Sequence, residues 1–260
     1  MAVLEQFRLN GKTAVITGGS RGLGLEIAKA LGEAGADLVI SARDAAQLDS
    51  AAEELRQSKI GNVTTLPADL SDAAGADAFC DELLSKVAQV DVLVNNVGGR
   101  RINLPIEEIT NEQWQMVQDL NLNQAFVCTR RIGTTMLARN AGRIINIASI
   151  SGLIAFRPMK SRSYEAAKSA LLGFTRSVAA DWASRGVTVN AIAPGAFLTD
   201  ANQAWFDENP ELKRSFEDQI PMGRLGHPPE IGPLAVYLAS DASAFMTGAT
   251  LVIDGGQTLW

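Results

Sequence analysis

Tyr164 and Lys168 stand four residues apart in an apolar stretch, 163–185, of helical pattern, so the phenol and the ammonium share one helix face. That pair can move a proton. A free phenol titrates near ~10, and a cation about 4 Å away at intermediate dielectric is worth roughly 4 kcal/mol, about three pH decades. A phenol so placed becomes a usable acid and base near neutral pH. A Y-x-x-x-K spacing also describes an ordinary helix-surface pair, so the chemistry depends on what else the chain supplies.

A glycine turn is the second candidate. Thr17-Gly18-Gly19-Ser20-Arg21-Gly22-Leu23-Gly24 follows the apolar run TAVIT and precedes a helical segment. Gly18, Gly22 and Gly24 let the backbone turn sharply and approach a pyrophosphate, whose charge is met by N–H groups and the positive helix N-terminus. Ser20, Arg21 and Leu23 lie in the same turn. The spacing is G-x-x-x-G-x-G rather than G-x-G-x-x-G, and a tight strand-to-helix connection is the plain alternative. Gly18-Gly19-Ser20-Arg21-Gly22 also fits the G-x-S-x-G elbow, with His227 downstream, which would make Ser20 a hydrolase nucleophile. Against that reading, the elbow follows the first strand and leaves no upstream strands for a hydrolase sheet.

The tip of the second apolar run reads Ser41-Ala42-Arg43-Asp44, with a small neutral residue where an acid would meet a ribose 2′-hydroxyl. Arg43 and Arg21 can clamp a 2′-phosphate, which favours NADP(H) over NAD(H). Alternatively, both arginines are solvated and Asp44 takes the ribose.

Elements of regular spacing must hold these groups. In 260 residues, 47% of them apolar, short β-branched runs recur at 13–17, 37–41, 63–66, 91–94, 143–148, 187–192 and 250–253. Most are continuous rather than alternating, which suits strands covered on both faces. Helical segments separate them, at 22–33, 44–58, 71–88, 111–138, 163–185 and 229–240. Strand and helix in alternation predict an α/β fold, a doubly wound parallel sheet of seven strands with helices on both faces, in a single domain over 1–260. Ser71-Asp72 and Thr110-Asn111-Glu112 supply helix N-caps, and Pro228-Pro229-Glu230 pre-sets a first turn. The 32 residues of 196–227 read as a partly helical flap.

Composition removes several classes. A net charge of −6 argues against nucleic acid as partner. Two cysteines, Cys80 and Cys128, and one histidine cannot build a disulfide framework or a Cys/His zinc cage, so no metal is expected. With no apolar run of membrane length and no signal peptide in the first ten residues, no membrane is expected, and the cytoplasm is the expected compartment.

With the glycine turn, Asp69-Leu70, Asn95-Asn96-Val97-Gly98, Asn121, Ser149, Tyr164/Lys168 and Pro194-Gly195 in order, the chain resembles the short-chain dehydrogenase/reductase family over essentially its whole length. The resemblance implies a Rossmann fold and hydride transfer between a nicotinamide cofactor and a small-molecule carbonyl or alcohol. It implies that Tyr164 is the general acid/base, that Lys168 lowers its pKa and holds the nicotinamide ribose, that Ser149 orients the carbonyl and that Asn121 anchors a relay water. It also implies that Asp69 meets the adenine and Thr199 the nicotinamide amide, with Leu70, Asn96, Gly98, Pro194 and Gly195 lining the cofactor. Val97 departs from the alanine usual in its motif. The 15-residue interval from Ser149 to Tyr164 leaves Ser151 as a rival serine, with Ser149 preferred because it ends the strand and puts Gly152 at the family's glycine. The C-terminal segment, 246–256, resembles members that form homotetramers.

Arg100, Arg101, Arg157, Lys160 and Arg162 gather where the fold places the site's mouth, which suggests an anionic substrate, a sugar acid or a 3-oxoacyl thioester on a phosphate-bearing arm. Solvated loop residues are the alternative. The resemblance is equally close to 3-oxoacyl carrier-protein reductases and to gluconate 5-dehydrogenase-like enzymes. Trp205, Phe206 and Phe216 in the flap can close over substrate or serve a subunit contact. A non-catalytic dinucleotide-binding protein stays as the functional alternative, opposed by the intact Asn121, Ser149, Tyr164 and Lys168 set.

Overall fold

The computed structural model describes residues 2–58, 60–155, 159–160 and 162–259. Seven parallel strands form one sheet: β1 (Thr13–Thr17), β2 (Asp37–Ala42), β3 (Val63–Pro67), β4 (Val92–Asn95), β5 (Gly142–Ile147), β6 (Val187–Pro194) and β7 (Thr250–Ile253), in the order β3-β2-β1-β4-β5-β6-β7. The order reverses between β1 and β4, with Thr17 level with Ser41 on one side and Ile16 with Val94 on the other. Ligands of open α/β sheets bind at such a switch point, beyond the carboxyl ends of the strands.

The continuous apolar runs have the expected cause. In β1, Ala14 and Ile16 face one core while Val15 faces the other. The first core takes Ile27 and Leu31 of α1 (Gly22–Glu33), Leu48 of α2 (Ala45–Gln57) and, later in the chain, Ala235 and Leu238. The second takes Phe79 and Leu83 of α3 (Ala73–Lys86) with Val127, Ile132 and Met136. In the central strands both faces are covered, so neither parity is given over to polar residues. Two buried asparagines link the central strands to the helices: the Asn95 amide donates to Thr129 and Asn146, and Asn146 donates to Thr175.

Some boundaries shift. Asp44 and Asp72 stand outside their helices as N-caps, accepting from the Gln47 and Gly75 N–H groups. The segment expected as one helix over 111–138 is three pieces: α4 (Asn111–Gln118), a π-turn over Asp119–Asn123, and α5 (Gln124–Arg139). Thr110 and Gln113 close a capping box at its start. α6 (Arg162–Trp182) ends in a short 3₁₀ turn, and Pro228–Ile231 forms a 3₁₀ turn rather than the start of α-helix. Between them lie α7 (Asp200–Glu208) and α8 (Pro210–Glu217), followed by α9 (Gly232–Ala239). The 196–227 segment is thus partly helical, with a small core of Phe206, Ile220 and Leu225. Among the described residues no helix is long and apolar enough to cross a membrane.

Candidate active site

A cleft of about 1050 Å³ lies along the carboxyl ends of the strands and crosses the switch point. One end of it is set by the residues that follow β2 and β3. Arg43 stands 3.9 Å from Asp69, both well exposed, and Leu70 beside them is buried. The Asp44 carboxylate is engaged in capping α2, which draws it away from a ribose-binding role. Arg21 is the residue before α1, at the middle of the cleft.

The glycine turn is shaped by close approach. Gly18 has φ +67°, a conformation that glycine adopts without the Cβ penalty. A Cβ on Gly24 would lie 2.2 Å from the Gly18 carbonyl oxygen. Asn96, at the end of β4, donates to the Thr17 and Gly18 carbonyls and so ties β4 to the turn. The first N–H groups of α1 have no intrahelical acceptor and stand over the cleft. Glycines where a Cβ would fill the cradle, and N–H donors facing an open cleft, fit a dinucleotide pyrophosphate. Val97 packs its side chain against Gly18 and the second core, while its carbonyl accepts from Gln124.

At the other end, Ser149 caps the carboxyl end of β5 and Tyr164 and Lys168 come from the first turns of α6. Ser149 and Tyr164 line the same end of the cleft. Burial raises the Tyr164 pKa above that of a free phenol, and the Ser149 hydrogen bond and the positive charge of Arg100 pull it partway back. The Lys168 ammonium donates to the Ile147 carbonyl and stands 5.8 Å from the Tyr164 ring centroid, so the groups that act on the phenol here are Ser149 and Arg100. Burial also lowers the Lys168 pKa to about 8. The cation close to the phenol's ring is Arg100, 4.9 Å from the centroid.

Asn121 sits in the π-turn, fully buried behind the cleft wall. Its amide donates to the Gly99 and Val117 carbonyls and accepts from the Gly99 N–H. It meets Lys168 across Gly98, where a Cβ would lie 2.8 Å from Asn121 Oδ1 and 3.0 Å from Lys168 Nζ. Pro194 and Gly195 end β6, and Thr199 precedes α7 over Gly22; all three line the cleft. Ser151 lies deeper, donating its N–H to Ser149 and accepting from Arg100. A Cβ on Gly152 would come within 2.8 Å of the Lys168 backbone, so this glycine sets the approach of α6 to the serine turn.

The elbow reading fails on geometry. The Ser20 hydroxyl donates to Gln47, and His227 is absent from the cleft that Ser20 lines. The basic group divides: Arg100 and Arg101 line the cleft, Arg162 pairs with the buried Glu165, Lys160 binds Asn103 through its backbone, and Arg157 lies outside the described residues.

A second cavity of about 560 Å³ opens from Tyr164 and Ser149 under Trp205, Phe206 and Phe216. Its lining includes Asn202 and Gln257, which sequence reasoning missed. Neither sits in a spacing with chemical meaning; only the fold brings the C-terminal turn beside Gly195.

The family model described as Enoyl-(Acyl carrier protein) reductase matches residues 18–258. Galactitol 2-dehydrogenase (L-tagatose-forming) of Cereibacter sphaeroides is 42% identical over 254 residues, covering 98% of each chain. The 3-oxoacyl-[acyl-carrier-protein] reductase of Synechocystis sp. is 38% identical over 97% of this chain and 99% of that one. The solved structure of a gluconate 5-dehydrogenase from Burkholderia cenocepacia, in complex with NADP and tartrate, superposes with a TM-score of 0.91 at 35% identity and covers 99% of both chains. With the cleft at the switch point and Ser149, Tyr164 and Lys168 gathered at one end of it, similarity of that extent means that the chain belongs to the short-chain dehydrogenase/reductase family of oxidoreductases.

Proposed function

We propose that the protein interconverts a secondary alcohol and a ketone by NADP(H)-dependent hydride transfer. The observation that carries this reading is the meeting of Ser149, Tyr164 and Lys168 at the inner end of a cleft whose outer end presents Arg43. The solved relative bound to NADP supports the cofactor, and Arg21 and Arg43 are the side chains to receive a 2′-phosphate. Gly18, Ser20, Gly22, Leu23 and Gly24 would hold the pyrophosphate, Asp69 and Leu70 the adenosine, Asn96, Gly98 and Lys168 the nicotinamide ribose, and Pro194, Gly195 and Thr199 the nicotinamide.

The bound nicotinamide supplies or accepts the hydride. In reduction Tyr164 gives its proton to the carbonyl oxygen, and in oxidation the phenolate takes the hydroxyl proton. Ser149, beside Tyr164 in the cleft, holds the same substrate oxygen. Asn121 braces Gly99 and so fixes the wall against which Lys168 is set. Trp205 and Phe216, packed edge to face, roof the substrate cavity and exclude water.

Both substrate classes expected from the sequence have namesakes among the relatives, galactitol and gluconate on one side and a 3-oxoacyl carrier protein on the other. Arg100 beside the reacting phenol supports an anionic or oxygen-rich substrate. We also infer a homotetramer in the cytoplasm; the exposed apolar groups around β7 and on α5 support the first, and two buried free thiols the second.

Turnover of a panel of sugar acids, polyols, 3-oxoacyl thioesters and simple ketones with NADPH, NADP⁺, NADH and NAD⁺ tests the reading. Activity with the NADP pair is expected, and Tyr164→Phe should lower kcat by about 10²–10⁴-fold while cofactor binding is retained. Unchanged turnover in that variant would leave a dinucleotide-binding protein whose chemistry lies elsewhere.

A further inference from the structure

Gln47 lines the main cleft together with Ser20, Arg21, Arg43 and Asp44, at the end set by the residues that follow β2 and β3. It stands in the first turn of α2 and is exposed, so whatever enters this end of the cleft can reach it.

Its place is fixed from two directions. The Gln47 N–H donates to the capping carboxylate of Asp44 at 3.0 Å, and the side-chain Oε1 accepts from the Ser20 hydroxyl at 3.2 Å. Ser20 is itself held at the tip of β2, because the Gly19 N–H donates to the Ser41 carbonyl at 3.0 Å and a Cβ on Gly19 would lie 2.9 Å from Ile40 Cγ2. The carboxamide therefore ties the glycine turn, which carries Arg21, to the β2–α2 connection, which carries Arg43.

A carboxamide offers one acceptor oxygen and two donor hydrogens. Ser20 engages the oxygen, which leaves the Nε2 hydrogens for what fills the cleft. The acids at this end are engaged elsewhere: Asp44 caps α2, and Asp69 accepts from the Ser71 N–H and lies 3.9 Å from Arg43. Two guanidinium groups and a primary amide make a donor set suited to a phosphate, whereas a ribose 2′-hydroxyl is met by a carboxylate in sites built for it.

We propose that Gln47 is a cofactor-specificity residue: with its oxygen held by Ser20, its Nε2 donates to the 2′-phosphate of NADP(H) beside Arg21 and Arg43. This rests on the NADP(H) reading above and adds to the two arginines a neutral donor of fixed direction. The arginines attract an anion over a distance and are screened by salt, while the amide contributes only on contact.

Calorimetric titration of the full chain with NADPH and with NADH reads both affinities without turnover. Gln47→Met keeps the length of the side chain and loses its donor, and Gln47→Glu keeps the acceptor for Ser20 and puts a charge in place of the donor. Wild type is expected to bind NADPH the more tightly. The NADPH-to-NADH affinity ratio should fall roughly three- to tenfold in Gln47→Met. It should fall further in Gln47→Glu, whose carboxylate repels the phosphate. Should Gln47→Met not fold, Gln47→Ala replaces it with the same expectation. A ratio within twofold of wild type in the folded uncharged variant overturns the assignment, and a parallel loss of both cofactors would make Gln47 a brace for Ser20 instead. Wild type that binds NADPH no tighter than NADH overturns the 2′-phosphate site and leaves hydride transfer standing. Wild type that binds neither overturns both readings.

Discussion

Burial acts on the two titrating groups of the site in opposite directions but toward the same end, the neutral forms: Tyr164 goes up and Lys168 comes down to about 8. What restrains Tyr164 is local, the Ser149 hydrogen bond and then the Arg100 guanidinium over the ring, itself near Glu165 and Arg162. Alcohol oxidation needs the phenolate, so its rate rises with pH through the Tyr164 pKa. Removing the Arg100 charge lets that pKa climb. Arg100→Met should therefore move the rising limb of the oxidation profile to higher pH, with ketone reduction at neutral pH, which uses the protonated phenol, less affected. Coincident oxidation profiles for the two proteins would show that Arg100 does not set the proton affinity of Tyr164. Tyr164 and Lys168 were legible in the sequence because helical spacing alone puts them on one face. Arg100 was not legible as the cation beside the phenol, since its meaning depends on which loop ends share a cavity.

All seven strands could be read to within two residues because the middle of a parallel sheet is covered on both faces and favours continuous apolar runs, as Val92, Leu93 and Val94 of β4 show. The π-turn over Asp119–Asn123 could not, because every residue from 111 to 138 is compatible with an α-helix and the extra residue in the turn leaves no mark on composition. It matters because it carries Asn121 to the back of Gly98 and Gly99. The glycine turn tests how strictly an element must be shaped. Gly24→Ala places a methyl 2.2 Å from the Gly18 carbonyl oxygen, a backbone atom held in place by Asn96. The turn must open, so NADPH affinity and Tm should both fall. Gly173→Ala is the internal control: this α6 glycine has only an arginine tip within 4 Å of a Cβ, and alanine there should raise stability by about 0.5–1 kcal/mol. Equal NADPH titrations of Gly24→Ala and wild type would show that the turn does not approach the cofactor.

At the scale of the whole molecule, an acidic surface of net −6 leaves two apolar regions uncovered. One borders β7, the strand at the sheet's edge, where Phe245 is fully exposed and Met222, Val252 and Leu259 lie open. The other runs over the outer faces of α4, α5 and α6, where Trp114, Met116 and Phe126 are exposed and Phe126 packs edge to face on Phe174. Exposed clusters of this kind mark association surfaces, and an unpaired edge strand adds backbone groups that a partner can use. Two separate patches, each paired about its own two-fold axis, would close into the dihedral tetramer proposed above. Light scattering should return four times the monomer mass. Phe126→Asp and Phe245→Asp should each stop assembly at the dimer, because each spoils one axis and leaves the other, and the double variant should run as a monomer with an intact far-UV spectrum. A monomeric wild type would refute the tetramer. A tetramer indifferent to both aspartates would place its contacts on faces other than these two.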